Sequence, residues 1–381
     1  MILLVLAVAL AADAAPRPCV PFLLERRVGA DAPGVPAADA CAGLRLDLAG
    51  RGAIDLPDVG LTRRLELSRA RLELGVWGVG PATARVALIA ARSGGATGYV
   101  GIDGEAIVPT IQIAEARVDA KRWGLAAAVG LVDDPWVIHG EDGWALRPVA
   151  AAAAELRGMQ HRADLGGWVA WTSPGDWVTV AVTMTTGEGA LAREQNEGKD
   201  VAATVSVRPL AAGPGGLTLE LYGRNGSRGV ASARDHRVGG RITWEAGLAA
   251  VGAEALAGWG QQADAALLPL QTSVWARTGP KMPVVGWLRV DAGLADRAAP
   301  ASGAVTWRAG AGPWLPWGPR AAVRPASLVL GYEGTWLGLD ARSVAGASAA
   351  AVTHTLFLQL GVRFDAGLPI SLAAVRGPVD P

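Results

Sequence analysis

The residues that could do chemistry are few, and most of their spacings fail. Gly187-Glu188-Gly189-Ala190-Leu191-Ala192 has the G-x-G-x-x-A spacing of a dinucleotide loop. That loop works only between a strand and a helix N-terminus, inside a βαβ unit. No such unit surrounds it, so it reads as a plain connection. Gly78-Val79-Gly80 runs straight into Pro81 and reads the same way. There is no G-x-S-x-G elbow and no H-E-x-x-H pair. His139, His161, His236 and His354 are scattered. Asp133, Asp134, Glu141 and Asp142 crowd around His139, but not in the order of a calcium loop. The expectation is no enzyme, no metal and no cofactor. A Ser-His-acid site assembled from distant residues is the one catalytic reading that spacing leaves open.

The elements that carry these residues come next. The chain has 381 residues, with 35 Lys+Arg against 35 Asp+Glu. A neutral chain lacks the basic face that nucleic acid requires. With 51% hydrophobic residues it is too apolar for disorder. Lysine occurs only at Lys121, Lys199 and Lys281. Ile2 to Ala12 is an apolar run, and Ala12-Asp13-Ala14 fits a small-x-small cleavage site, so residues 1–14 read as a signal peptide. Cys19 and Cys41 follow it; in an oxidising compartment they could close a disulfide, or remain two thiols. No later apolar run reaches the length of about 18 residues that a membrane helix needs.

From about residue 60 the apolar positions alternate with polar or small ones. Leu217, Leu219 and Leu221 oppose Thr218, Glu220 and Tyr222; Leu356, Leu358, Leu360, Val362 and Phe364 oppose Gln359, Arg363 and Asp365. That is the strand period. The expectation is about 16–18 sequential antiparallel strands of about 8–11 residues, the length that crosses a bilayer when tilted. A soluble sandwich shares the pattern but turns its apolar face inward. The apolar face here is small or β-branched, and the other face carries mixed charge on strand after strand. Trp77, Trp123, Trp168, Trp177, Trp244, Trp287 and Trp336 fall near strand ends, as in interfacial girdles. A transmembrane barrel is the better reading. Its lumen face then carries Arg69, Arg71, Glu115, Arg117, Asp119, Lys121, Arg208, Glu220, Arg241, Glu245, Arg289, Asp291 and Arg363.

One insertion breaks the rhythm, between Val132 and Leu165. Its first half is acidic. Its second half follows Pro148 with the alanine-rich stretch 149–159, which reads as a short helix. A long structured loop among strands is usually functional.

Region 124–210 resembles the phosphate-selective porin (O and P type) family of bacterial outer membranes. The resemblance rests on Gly130-Leu131-Val132-Asp133-Asp134-Pro135-Trp136, Arg162-Ala163-Asp164-Leu165-Gly166, Thr186-Gly187-Glu188-Gly189, and Lys199-Asp200-Val201 through Arg208-Pro209. Ser68-Arg69-Ala70-Arg71 and Leu356 to Phe364 echo an early and a final strand of the family. The lysine-rich anion signature is missing, and 17 residues follow Phe364. The resemblance implies a single all-β barrel over 60–365, preceded by a periplasmic segment over 15–59 and followed by a tail over 366–381. It implies passive diffusion of small solutes or ions, with phosphate as a candidate anion. The implied partners are outer-membrane lipid and lipopolysaccharide, with a homotrimer as the possible assembly. It also places a lumen-folded loop near the insertion, which makes Asp133, Asp134, His139, Glu141 and Asp142 the candidate constriction. A non-transporting barrel and an exported soluble β-rich binding protein stand as alternatives.

Overall fold

The computed structural model describes residues 17–18, 37–38, 40–56, 62–79, 82–94, 105–147, 149–156, 158–187, 189, 199–210, 216–227, 235–260, 266–279, 281–315, 326–338 and 352–370. The proposed signal peptide and Cys19 lie outside the described residues, as do the side chains of Cys41, Arg69, Trp77 and Arg363. Whether Cys19 and Cys41 pair therefore falls outside them too.

Two short strands, β1 (Arg17–Pro18) and β2 (Ala37–Ala38), pair with each other. Then follow β3 (Ala40–Leu56), β4 (Thr62–Val79), β5 (Ala82–Gly94), β6 (Glu105–Ala120) and β7 (Leu125–Asp133). Helix α1 (Pro135–Trp144) comes next. The chain continues through β8 (Ala163–Thr172), β9 (Val178–Thr185), β10 (Asp200–Leu210), β11 (Leu217–Asn225), β12 (His236–Glu245) and β13 (Ala249–Trp259). It finishes with β14 (Leu270–Thr278), β15 (Val284–Leu294), β16 (Gly303–Leu315), β17 (Ala326–Leu337) and β18 (Val352–Ile370).

Strands β3 to β18 form one closed barrel of 16 antiparallel strands, each paired with its sequence neighbours. β18 closes on β3 from Ile370↔Ala40 to His354↔Leu56. Closure leaves no edge strand with unpaired backbone groups. The barrel begins at Ala40 rather than near residue 60, and β18 runs five residues past Asp365. Leu44, Leu46 and Leu48 alternate with Arg45 and Asp47, so the strand signal is present there; Gly50 and Gly52 interrupt it. One rim holds Ala40, Ile370 and short connections such as 246–248; the other carries the longest connection, 134–162.

The faces are inverted relative to a soluble protein. Leu221 is 68% exposed while its neighbour Glu220 is 5% exposed; Leu358 is 52% exposed and Gln359 2%. Apolar side chains cover the outside of the barrel and polar ones the inside. Exposing such a belt to water would cost about 25 cal/mol per Å², whereas lipid meets it at no such cost. Trp123, Trp177, Trp244 and Trp336 are exposed, in keeping with the girdle reading. Trp168 and Trp287 are not: Trp287 is buried, and the Arg117 guanidinium lies over Trp168 at 5.2 Å. Both point into the barrel.

Candidate pore constriction

The insertion leaves β7 at Asp133, enters the barrel, and rejoins the wall at β8. Asp134 begins α1: its carboxylate accepts the Val137 N–H at 3.1 Å, and Pro135 takes the first helical position. That is a standard helix start, with the proline's missing donor falling where no partner exists anyway. The helix ends at Ala145, which takes a left-handed φ of 58°. The stretch 149–159 is not the expected helix. Among its described residues the helical element is a 3₁₀ turn over Ala153–Glu155. Its carbonyls are engaged from outside: Ala150 O accepts from Trp144 Nε1 at 3.1 Å, and Ala151 O accepts from Arg289 at 2.9 Å. Alanine's helix propensity is weak beside such tertiary bonds.

One face of α1 packs on the inner wall. Trp136, Val137, Gly140 and Trp144 are buried and share that face by helical spacing. Trp136 stacks on Tyr222 of β11 at 5.1 Å, and Trp144 meets Trp275 of β14 edge-on at 5.9 Å. Beneath the helix sits Arg241 of β12. It donates to Glu254 at 2.7 Å, to Glu220 at 2.7 Å and to Trp136 O at 2.9 Å, and its plane lies 3.9 Å from the Trp136 ring centre.

The same device recurs along the wall. Arg277 of β14 donates to Gly143 O at 3.1 Å, and Arg237 of β12 to Met159 O at 3.2 Å. Arg224 of β11 donates to Gln160 Oε1 at 2.9 Å and also pairs with Asp200 and Asp235. Five arginines on β11, β12, β14 and β15 thus hold the insertion from its first turn to its end. Hydrogen bonds from charged donors contribute about 1.5–3 kcal/mol each when buried.

A second ionic chain runs along the insertion towards β4–β6. Arg147 pairs with Glu155 and, at 3.4 Å, with Glu141. Glu141 pairs with Arg162, and Arg162 with Asp133 at 3.2 Å. Asp133 pairs with Arg85 at 2.5 Å, and Arg85 reaches Glu115 at 2.6 Å and Glu73 at 3.4 Å. Arg71 and Arg45 also reach Glu73, at 3.1 and 3.8 Å.

The expected site residues sort themselves against this frame. Arg71, Glu115, Glu220, Arg241, Arg289 and Asp291 do face inward, but all are buried in ion pairs. Arg241 and Arg289 clamp the insertion instead of lining open water. Arg117 and Asp119 pair with each other at 2.7 Å and keep partial exposure. Glu245 meets Arg277 at 3.4 Å, and Arg208 is exposed at its strand end. Lys121 is not on a strand; it opens a 3₁₀ turn over Lys121–Trp123 at the short-turn rim. Arg69 and Arg363 lie on barrel strands, with side chains outside the described residues.

Of the constriction set, Asp133 and Asp134 are buried structural groups. Burial pushes the Asp134 carboxyl above its ordinary pKa, against hydrogen bonds from Val137 and Gln160. His139 pairs with Glu220 at 2.5 Å and stays partly exposed. Asp142 is exposed on α1, and Glu141 joins the ionic chain. The members missed by the sequence are the wall arginines Arg224, Arg237 and Arg277, together with Arg85, Arg147 and Arg162. Their strand parity placed the wall ones inside; nothing local said that they would bind the loop.

An apolar-skinned, polar-lined barrel with a segment folded into it suits lipid surroundings. No family model matches the chain, and no curated protein matches it. Solved structures do. OmpF of Salmonella typhi, in complex with daunomycin, is 11% identical over 85% of this chain and 97% of that one, with a TM-score of 0.60. An anion-selective porin from Comamonas acidovorans is 13% identical over 85% and 100%, with a TM-score of 0.57. The high-pH structure of OprB of Pseudomonas putida is 10% identical over 85% and 94%, with a TM-score of 0.56. At these identities the likeness defines the fold: that of the bacterial outer-membrane porins.

Proposed function

We propose that this chain is an outer-membrane channel for passive diffusion of small polar solutes or ions, narrowed by the insertion 134–162. The observation that carries the reading is α1 docked inside a barrel whose outside is apolar and whose inside is ionic. Exported chains of this kind carry a cleaved signal, which residues 1–14 would supply. The reading assigns no catalysis to the chain. Charge along the insertion alternates in sign and is compensated pair by pair, which argues for modest ion selectivity. An anion such as phosphate is the finer alternative, supported by the cluster of Arg45, Arg71 and Arg85, although Glu73 sits among all three. Selectivity set by the insertion would rest on His139, Glu141 and Asp142, since Asp133 and Asp134 are buried.

The test is planar-bilayer recording of the full chain beside a variant lacking residues 138–160. The deletion is expected to raise single-channel conductance, while migration in detergent gels still shifts on boiling. Unchanged conductance in a properly inserted barrel would remove the insertion from the pore. Near-ideal anion selectivity of the wild type would favour a dedicated phosphate channel.

A further inference from the structure

The outward face of the barrel is apolar nearly everywhere, and two imidazoles break it. Among strand residues with described side chains, the titratable ones that alternation turns outward are His236, Tyr332 and His354. His354 alternates with buried Thr355, and His236 with buried Arg237. His236 is the first residue of β12 and His354 the third of β18, both at the rim that carries the long connections. On β18 the exposed belt Leu356, Leu358 and Leu360 begins one dyad below His354. Ionisable side chains are rare on a lipid face.

The surroundings of His354 are built. Tyr332 stacks on its ring at 5.9 Å and 24°, and the Tyr332 hydroxyl lies 2.5 Å from Nδ1. Trp307 meets the same ring edge-on at 6.4 Å, lying flat over Gly334, where any β-carbon would collide with the indole. The second imidazole repeats the theme: His236 is the cross-strand partner of Trp259, over which Arg297 sits at 5.3 Å.

We propose that His354 binds a phosphorylated headgroup of the outer leaflet, with His236 and Arg297 forming a second contact of the same kind. In this proposal the Tyr332 hydroxyl donates to Nδ1, and the imidazole proton then stands on Nε2. A ring held in one tautomer presents a donor on its other nitrogen, as second-sphere partners do for ligating histidines. Flanking indoles hold that donor at the depth where headgroup phosphates lie. The occupant is a phosphorylated lipid rather than free phosphate, because the donor stands beside an acyl-facing belt.

This inference rests on the membrane-embedded reading above, and the experiment separates the two. The full chain is refolded into phosphatidylcholine vesicles containing either a doubly phosphorylated glucosamine glycolipid or its dephosphorylated form. Insertion is read from the band shift on boiling, and lipid retention from native mass spectrometry. The phosphorylated lipid should be retained selectively. His354→Phe should weaken retention about tenfold, the loss of one hydrogen bond to a charged group. Tyr332→Phe keeps the ring stack, removes only the hydroxyl that sets the tautomer, and should fall in the same direction. Inorganic phosphate in solution should not compete. Equal retention of both glycolipids, competition by inorganic phosphate, or retention untouched in both variants overturns the proposal while the band shift keeps the barrel reading. Absence of the band shift overturns both.

Discussion

Substituting Gly140 by alanine tests whether α1 is seated on the wall by close approach. A β-carbon at Gly140 would lie 2.5 Å from Arg241 Nη2 and 2.9 Å from its Cζ. Ordinary contact between such atoms needs about 3.5 Å, so helix and guanidinium must part by roughly 1 Å. The guanidinium cannot simply swing away. It is tied to Glu220, Glu254 and Trp136 O, and it is stacked on Trp136. Parting therefore costs the bond to Trp136 O, about 1.5–3 kcal/mol, and part of the cation–π contact, about 0.5–1 kcal/mol. A sum of about 2–4 kcal/mol shifts the docked-to-undocked ratio by about 30-fold to several hundred-fold. In bilayer recordings Gly140→Ala should spend a larger fraction of time in a high-conductance state. Trp136 should become accessible to an aqueous quencher. The boiling shift should persist, because the wall strands are untouched. A variant with wild-type conductance and wild-type quenching would refute the seating argument.

Three further outcomes follow from the same structure. Leu221→Arg places a charge on the lipid face and should cost about 2–4 kcal/mol of insertion stability near the midplane, whereas Thr218→Arg, on the inner face, should insert normally; reversed results in a vesicle-insertion assay would exchange the two faces. Ala145→Gly relieves a left-handed residue, a strain of about 1–2 kcal/mol for a residue with a β-carbon, and should hold the insertion more tightly, seen as fewer excursions to high conductance. Asp134 has its carboxyl pKa raised by burial, so its contribution to docking is full below the ordinary carboxylate range and is lost as pH rises through the raised value; excursions should grow with pH in the wild type and lose that pH dependence in Asp134→Asn, as read by bilayer recording across that range.

The fold was legible because period two is a strict code. A shift of one residue would have turned Glu220 and Arg241 to lipid, so sequence parity settled which face each side chain takes. The limits of the barrel were less legible. Gly50 and Gly52 thin the signal of β3, and its pairing with β18 is set by residues about 300 positions away. Local signals do not place the helix in the insertion, because two start signals compete. Pro148 and the alanine run carry one start signal, and Asp134-Pro135 carries another that lay inside a family motif. The deciding interactions were tertiary: Arg289 and Trp144 take the carbonyls of Ala150 and Ala151 out of any helix. The insertion is legible as a place, but the contacts that seat it are not. His139 and Glu220 are 81 residues apart, and Arg289 and Ala151 138 apart. No spacing rule reaches across such separations.

The near absence of lysine acquires a structural sense in this frame. A lumen arginine can both balance a carboxylate on the wall and hold the insertion, because its planar fork sends donors in several directions. Arg241 bonds two carboxylates on neighbouring strands, one helix carbonyl, and an indole face. Arg224 reaches two aspartates and a glutamine, and Arg289 an aspartate and a carbonyl. An ammonium has three donors at a single point and no flat face, so it could not reach two carboxylates and a helix carbonyl while also covering an indole face. The count of inward arginines therefore reports two demands at once: neutralising a row of buried acids, and binding a segment that would otherwise leave those acids and its own carbonyls to compete for water in the lumen. A charge map of the barrel interior drawn from sequence parity overstates the field a solute meets, because much of that charge is already spent inside the protein.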